Sequence, residues 1–325
     1  MSHLRIRLAR LASYLPDAVA LVPYHVLKGL ITWLLGLRHA RVWFRNSLAL
    51  NYGQAGLSDI DLSVLVPTVS EAIRVTRRLR EIRALSLGGE TQVYVEENLR
   101  SLLPVANPFE LRRDPTLCER FGLPGAGSSV EKSLFLFKCL LADGFLRVHP
   151  GLRAKRWRAM FNLVGGQLDP EVSRESIARQ VLLNSPAGRL VTAKDLLGIL
   201  DGNEGEARDA YPLLFPNKIA WCSEEYASLK RSLTEQSQEL HDWLHAAIRW
   251  EVWGLYPMTP LFTDQPVARI FAHIENQREL LRFLRVPEAQ KHATENALAE
   301  LSRHYRLICD ELGTEDAGFG GANRT

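Results

Sequence analysis

The clearest alternation of apolar and polar positions runs from residue 59 to 66, Asp-Ile-Asp-Leu-Ser-Val-Leu-Val. Side chains alternate across a strand, so Ile60, Leu62, Val64 and Val66 share a core-facing side, and Asp59 and Asp61 share the other. Pro67 ends the run. The pattern predicts a second strand over 39–44 (HARVWF) and a third over 91–95 (TQVYV). Between 71 and 85, Ala72, Ile73, Val75, Leu79 and Ile82 fall at helical spacing, with arginines on the other faces and Gly88-Gly89 as the stop. Residues 51–58 are turn-rich. Residues 39–95 therefore read strand, loop, strand, helix, strand, an α/β unit. Upstream, 5–37 reads as helix broken near Pro16 and Pro23. Downstream, LPGAGSS (123–129) reads as a linker or helix start. Helices are predicted over 130–143, 153–163, 173–183, 193–200, 224–253, 267–284 and 287–312, followed by a disordered tail ending GFGGANRT.

A length of 325 residues suggests two domains. The pattern divides them as 1–122, α/β with N-terminal helices, and 123–312, helical, with 313–325 as tail. Apolar residues at 46% and charged residues at 24% exclude a disordered, collagen-like or coiled-coil chain. A net charge of +3 does not demand nucleic acid as a partner. Four scattered cysteines without a CxxC pair read as buried thiols in a reducing compartment, the cytoplasm. The apolar run 15–37 contains Asp17, His25 and Lys28. It fails as a spanning helix and as a signal peptide, and reads as an amphipathic helix packed on a domain. Charge is uneven, since residues 1–50 carry seven Arg/Lys against one acid. The bland reading is a solvated basic face; the sharper ones are contact with an anionic membrane or a polyanion.

Two carboxylates on one strand face repel unless positive charge sits between them. Asp59 and Asp61 thus form a hard oxygen site suited to Mg²⁺ or Mn²⁺. Ser47 follows the first strand where a loop or short helix begins, and exposed backbone N–H groups at such a turn bind phosphate. Metal-binding carboxylates opposite a phosphate-binding turn suit phosphoryl or nucleotidyl transfer. At this point the chain resembles the nucleotidyltransferase superfold of polymerase β, CCA-adding enzymes and minimal nucleotidyltransferases. Their pattern is apolar-Gly-Ser, a gap of about ten residues, Asp-x-Asp on a strand, and a third carboxylate on a neighbouring strand. Phe44-Arg45-Asn46-Ser47 and Ser58-Asp59-Ile60-Asp61-Leu62 match the first two parts, with twelve positions from Ser47 to Asp59.

The resemblance covers residues 38–97 and implies an α/β (α+β) fold: a small mixed-sheet nucleotidyltransferase domain followed by a larger all-helical domain. It implies Asp59 and Asp61 as metal ligands, Asn46, Ser47 and Ser58 around the nucleotide, and Lys132 of the following helix as a triphosphate contact. The expected reaction moves a nucleoside monophosphate from an NTP, ATP by default of abundance, to an acceptor hydroxyl. A small molecule ranks first as acceptor, with an RNA end or a protein as alternatives. Asn46 stands where the family has glycine, but it tolerates positive φ. The third carboxylate is Glu90 by first choice, with Glu96 further along the same face. If Gln92 holds that position, the chain is a degenerate nucleotide-binding or interaction protein. Outside this unit, His241 and His245 echo a zinc helix without a third ligand. Trp243, Trp250 and Trp253 read as a core stripe. Residues 201–206 and 125–129 fail as a calcium loop and a P-loop. Arg153-Ala-Lys-Arg-Trp-Arg158 reads as an exposed basic face with Trp157 inward, in preference to an RNA contact.

Overall fold

The computed structural model describes residues 14–49, 53, 55–56, 58–87, 89–105, 111–123, 132–136, 139–140, 155, 157, 159–160, 170–183, 192–201, 231, 233–235, 237–253 and 267–313. The alternating segments form one mixed sheet of three strands: β1 (Val42–Phe44), β2 (Leu62–Val66) and β3 (Thr91–Val95), in that order. β1 pairs antiparallel with β2, Phe44 opposite Leu62; β3 runs parallel to β2, Leu62 beside Thr91 and Ser63 beside Gln92. Along the chain, α1 (Asp17–Ala20) and α2 (Val22–Leu34) precede β1, and α3 (Asn46–Ala49) follows it. α4 (Val69–Glu81) makes the crossover that a parallel pair requires. After β3 come α5 (Glu96–Leu102) and α6 (Pro115–Phe121), then α7 (Pro170–Leu183), α8 (Ala193–Asp201), α9 (Gln238–Trp253), α10 (Val267–Leu281) and α11 (Glu288–Leu312). The class is mixed α/β with mostly helical content.

The strand period sorts the core. Leu62, Val64, Val66, Val93 and Val95 point to one side, with Ile60 ahead of β2. They pack there with Ile31 and Leu35 at the end of α2 and with Ala72, Val75 and Leu79 of α4. Leu65 and Tyr94 point to the other side and join a larger cluster. That cluster draws on α5, α6, α9, α10 and α11, through Leu99, Phe121, Trp243, Ile274 and Tyr305 among others. A third cluster joins Leu136, Cys139 and Met160 to α7 and α8. Burial of this apolar area is the main term that holds the fold together.

Several expected elements shift, each for a local reason. The strand over 39–44 keeps only its last three residues. Arg41 N donates to the Arg38 carbonyl at 2.9 Å and winds His39–Arg41 into a 3-10 turn. The helix expected over 71–85 begins earlier, where the Thr68 hydroxyl accepts from Glu71 N, and ends at Glu81. A 3-10 turn over Arg83–Ser86 and Leu87 at φ +55° then lead out. Pro23 does not break α2; it sits in its first turn, where its missing N–H costs nothing. Glu96 does not continue β3; it opens α5, with its carboxylate on Arg41 and Arg120. The helix expected over 224–253 is interrupted by a turn at Thr234–Glu235, and α9 starts at Gln238. α5 and α6 are additional to the sequence reading. The linker at 124–129, the loop after Asp201 and the tail after Gly313 lie outside the described residues. Among the described residues no helix is long and apolar enough to cross a membrane.

Gly89 has a different task from the expected helix stop. A Cβ there would stand 2.4 Å from the Ile60 carbonyl oxygen. Only glycine lets the chain entering β3 approach the chain entering β2 this closely. The contact is secured by Ile60 N donating to the Ser86 carbonyl at 3.0 Å.

Candidate functional site

Asp61 lies where β1 ends and both β2 and β3 begin, and four hydrogen bonds converge there. Arg45 N donates to the Asp61 carbonyl at 2.8 Å, and Leu62 N to the Glu90 carbonyl at 2.9 Å. The side chain takes the other two. Asn46 Nδ2 donates to Asp61 Oδ2 at 2.9 Å, and Glu90 N donates to Asp61 Oδ1 at 2.9 Å. The aspartate therefore ties the turn after β1 to the start of β3. Each carboxylate oxygen has lone pairs beyond these bonds, and Asp59 and Asp61 are both half-exposed.

The turn itself follows from Asn46. It adopts φ +50°, the left-handed conformation that asparagine accepts with least strain. That geometry reverses the chain into α3 and aims the Asn46 amide back at Asp61. Ser47 is buried inside this corner. Gly53 packs closely beside the corner: a Cβ there would stand 2.7 Å from Leu48 Cδ2. Ser58 is also fully buried, and its backbone is fixed by a residue that the sequence reading passed over. The Tyr24 hydroxyl of α2 donates to the Ser58 carbonyl at 3.1 Å and accepts from Gly56 N at 2.8 Å. A buried tyrosine needs a partner for its hydroxyl, and that is the signal that could have found it.

Continuing the parallel register by one residue sets Glu90 beside Asp61. Gln92 lies one pleat further along, buried opposite Ser63, with its Oε1 accepting from the Tyr94 hydroxyl at 2.6 Å. Glu96 stands beyond the far end of β3, roughly 20 Å of strand from Glu90. It is engaged with Arg41 at 3.1 Å and Arg120 at 2.7 Å. Of the three third-position candidates, Glu90 alone is level with Asp61. The antiparallel register likewise sets the buried Arg45 across from Asp61. Lys132 is exposed. Among the described residues, no group of three or more His, Cys, Asp and Glu is placed to hold a metal ion.

An open cavity of about 530 Å³ adjoins α3 on its outer side. Its walls include Lys28, Trp43, Phe44, Leu48 and Arg113. Lys28 places its ammonium 5.0 Å from the Phe44 ring centroid, and burial lowers its pKa.

The remaining candidates read as structure. His241 Nδ1 accepts from Arg285 N at 3.0 Å. The His245 ring nitrogens meet Thr294 Oγ1 at 3.3 Å and Gln290 Nε2 at 3.2 Å. Both rings are buried between helices, and burial pushes His245 down to about 4. Trp243 is a core residue, and Trp157 packs inward against the third cluster. The side chains of Trp250 and Trp253, and Arg153, Arg156 and Arg158, lie outside the described residues. No family model, no curated protein and no solved structure matches this chain.

Proposed function

We propose that this chain is a metal-dependent nucleotidyltransferase that moves a nucleoside monophosphate from an NTP to an acceptor hydroxyl and releases pyrophosphate. One observation carries the reading: the Asn46–Asp61 hydrogen bond. It joins the turn expected to face phosphate to the carboxylate expected to face a cation. These segments are 15 residues apart in sequence, and the resemblance requires their meeting. Glu90 stands level with Asp61 in the parallel register and is the residue that would supply a third carboxylate.

The donor set suits a divalent ion, because hard carboxylate oxygens with spare lone pairs are what Mg²⁺ or Mn²⁺ takes. Such an ion, when bound, neutralises triphosphate charge and polarises the reacting oxygens. The chain's own contribution is placement. Asp59 and Asp61 hold the anchoring charge, the Asn46 amide orients the Asp61 carboxylate, and Glu90 accepts the acceptor's proton. The helices beyond residue 123 select the acceptor, a small hydroxylated molecule before an RNA end or a protein.

A second reading has its own support. Both Asp61 oxygens already accept hydrogen bonds within the chain, and buried Arg45 sits across from it. An internal staple of that kind suits a nucleotide-binding or interaction protein that transfers nothing. Pyrophosphate release from Mg²⁺·ATP across a panel of hydroxyl acceptors separates the two. The enzyme reading expects turnover that Asp59→Asn reduces roughly 100-fold or more. ATP-dependent thermal stabilisation with no turnover on any acceptor favours the second reading.

A further inference from the structure

The segment before β1 is apolar on two sides, and among the described residues only one of them is covered. Ala20, Tyr24, Ile31 and Leu35 face the core. On the opposite side, Leu15, Val19, Val22, Val26, Leu30 and Trp33 recur in steps of three and four, the period of a helix. Leu21, between α1 and α2, keeps helical dihedrals at φ −91° and ψ −7°, so the stripe runs on across the junction. These six are exposed by 50%, 53%, 51%, 63%, 40% and 74% respectively. Single exposed apolar residues need no explanation; a stripe of five along the face of α1 and α2, with Leu15 just ahead of it, does. Tyr14 and Trp33, exposed by 86% and 74%, stand at its two ends.

Charge says what covers it. Before Asp59 the sequence has seven Arg/Lys and a single acid, Asp17, a net +6 in a chain whose total is +3. The rest of the molecule is thus net negative, and the positive end is the one with the uncovered apolar stripe. Arg45 is buried, Arg41 pairs with Glu96 and Lys28 lies against Phe44, so the cations that count toward a partner are Arg38 and, in sequence, Arg5, Arg7 and Arg10. Arg38, directly after the helix, is exposed. Leu4, Leu8 and Leu11 continue the same spacing in sequence, with Arg5, Arg7 and Arg10 interleaved; their structure lies outside the described residues. Apolar residues along one face, aromatics at the ends and an excess of cations are what an in-plane helix needs at an anionic lipid surface. Aromatic rings favour the headgroup level. No described helix is long and apolar enough to span, so the contact is peripheral.

We infer that α1 and α2 dock this chain on an anionic membrane surface, with Val19, Val22, Val26 and Trp33 inserted at the headgroup boundary. This inference is independent of the proposed transfer activity. The test is co-sedimentation of the full chain with vesicles of 30 mol% phosphatidylserine in phosphatidylcholine, and with pure phosphatidylcholine vesicles. Val26→Glu with Trp33→Glu is the matched variant. Both positions are exposed, so circular dichroism should report an unchanged fold. The expected result is binding to anionic vesicles that falls about tenfold or more on neutral vesicles and in the double variant. Wild-type protein that stays in solution with both vesicle types overturns the inference. So does binding that the double variant leaves unchanged. A wild-type dimer seen by sedimentation velocity without lipid, and dissociated by the double variant, assigns the stripe to a second copy and also overturns it.

Discussion

Asn46 carries two burdens at once, and they can be separated. Its backbone sits at φ +50°, and its side chain donates to Asp61. Replacement by glycine removes the strain and the hydrogen bond together; replacement by alanine removes the bond and keeps the strain. Left-handed backbone costs a residue with a Cβ about 1 kcal/mol, and a lost hydrogen bond about as much again. Urea unfolding should therefore find Asn46→Ala less stable than wild type by about 1 kcal/mol, with Asn46→Gly close to wild type. Equal stability of all three would show that the turn does not depend on this residue. The positive φ of Asn46 and the strand that follows Asp61 were legible because they are local: a short polar residue at a turn, an alternating run after a carboxylate. Tyr24 was not. Nothing in its neighbourhood in sequence points to Gly56 or Ser58, more than thirty residues away. Only the fold brings the hydroxyl to them.

Elements show the same division. β3 appeared as read, and Ile60, Leu62, Val64 and Val66 face the core as their alternation requires. Period-2 patterning survives folding because a buried sheet face enforces it. Ends were less legible, since they are set by single hydrogen bonds such as Thr68 to Glu71 N, which the apolar pattern does not encode. Glu96 misled for that reason: it keeps the strand's parity but belongs to the helix that follows. α5 and α6 are seven residues each, too short for periodicity to stand out. Gly89 marks a position where two elements nearly touch, and it gives a sharp prediction. In Gly89→Ala the added methyl meets backbone atoms of Ile60 at 2.4 and 2.5 Å, which no rotamer can relieve. The variant should lose more than about 2 kcal/mol on urea unfolding, as overpacking against rigid backbone does. A loss under about 0.5 kcal/mol, the range of a neutral surface change, would contradict so close an approach.

At the scale of the whole molecule, the helical part is pH-sensitive through its buried histidines. Burial, with the Arg249 charge second, holds His245 near 4, below its ordinary 6.5, and burial lowers His241 and His304 as well. The folded values lie below the unfolded ones, so the unfolded chain takes up protons first. Stability is therefore whole above about 6.5 and is lost as pH falls toward 4. The His245 contribution amounts to about 3 kcal/mol at full extent. Unfolding free energies at pH 7 and 4.5 should differ by less in His245→Gln than in wild type. An identical pH slope would show that His245 is not the buried group responsible. The central claim is more specific than any of these: Asp59 and Asp61 together hold a divalent cation under a triphosphate. Electron paramagnetic resonance of Mn²⁺, titrated with the full chain in the presence and absence of ATP, tests it without an acceptor. The account predicts one equivalent of Mn²⁺ bound more tightly with ATP than without, and about tenfold or more weaker binding in Asp59→Asn and Asp61→Asn. Mn²⁺ and Mn²⁺·ATP signals that the protein leaves unchanged, or binding that is equally tight in wild type and both variants, would contradict it.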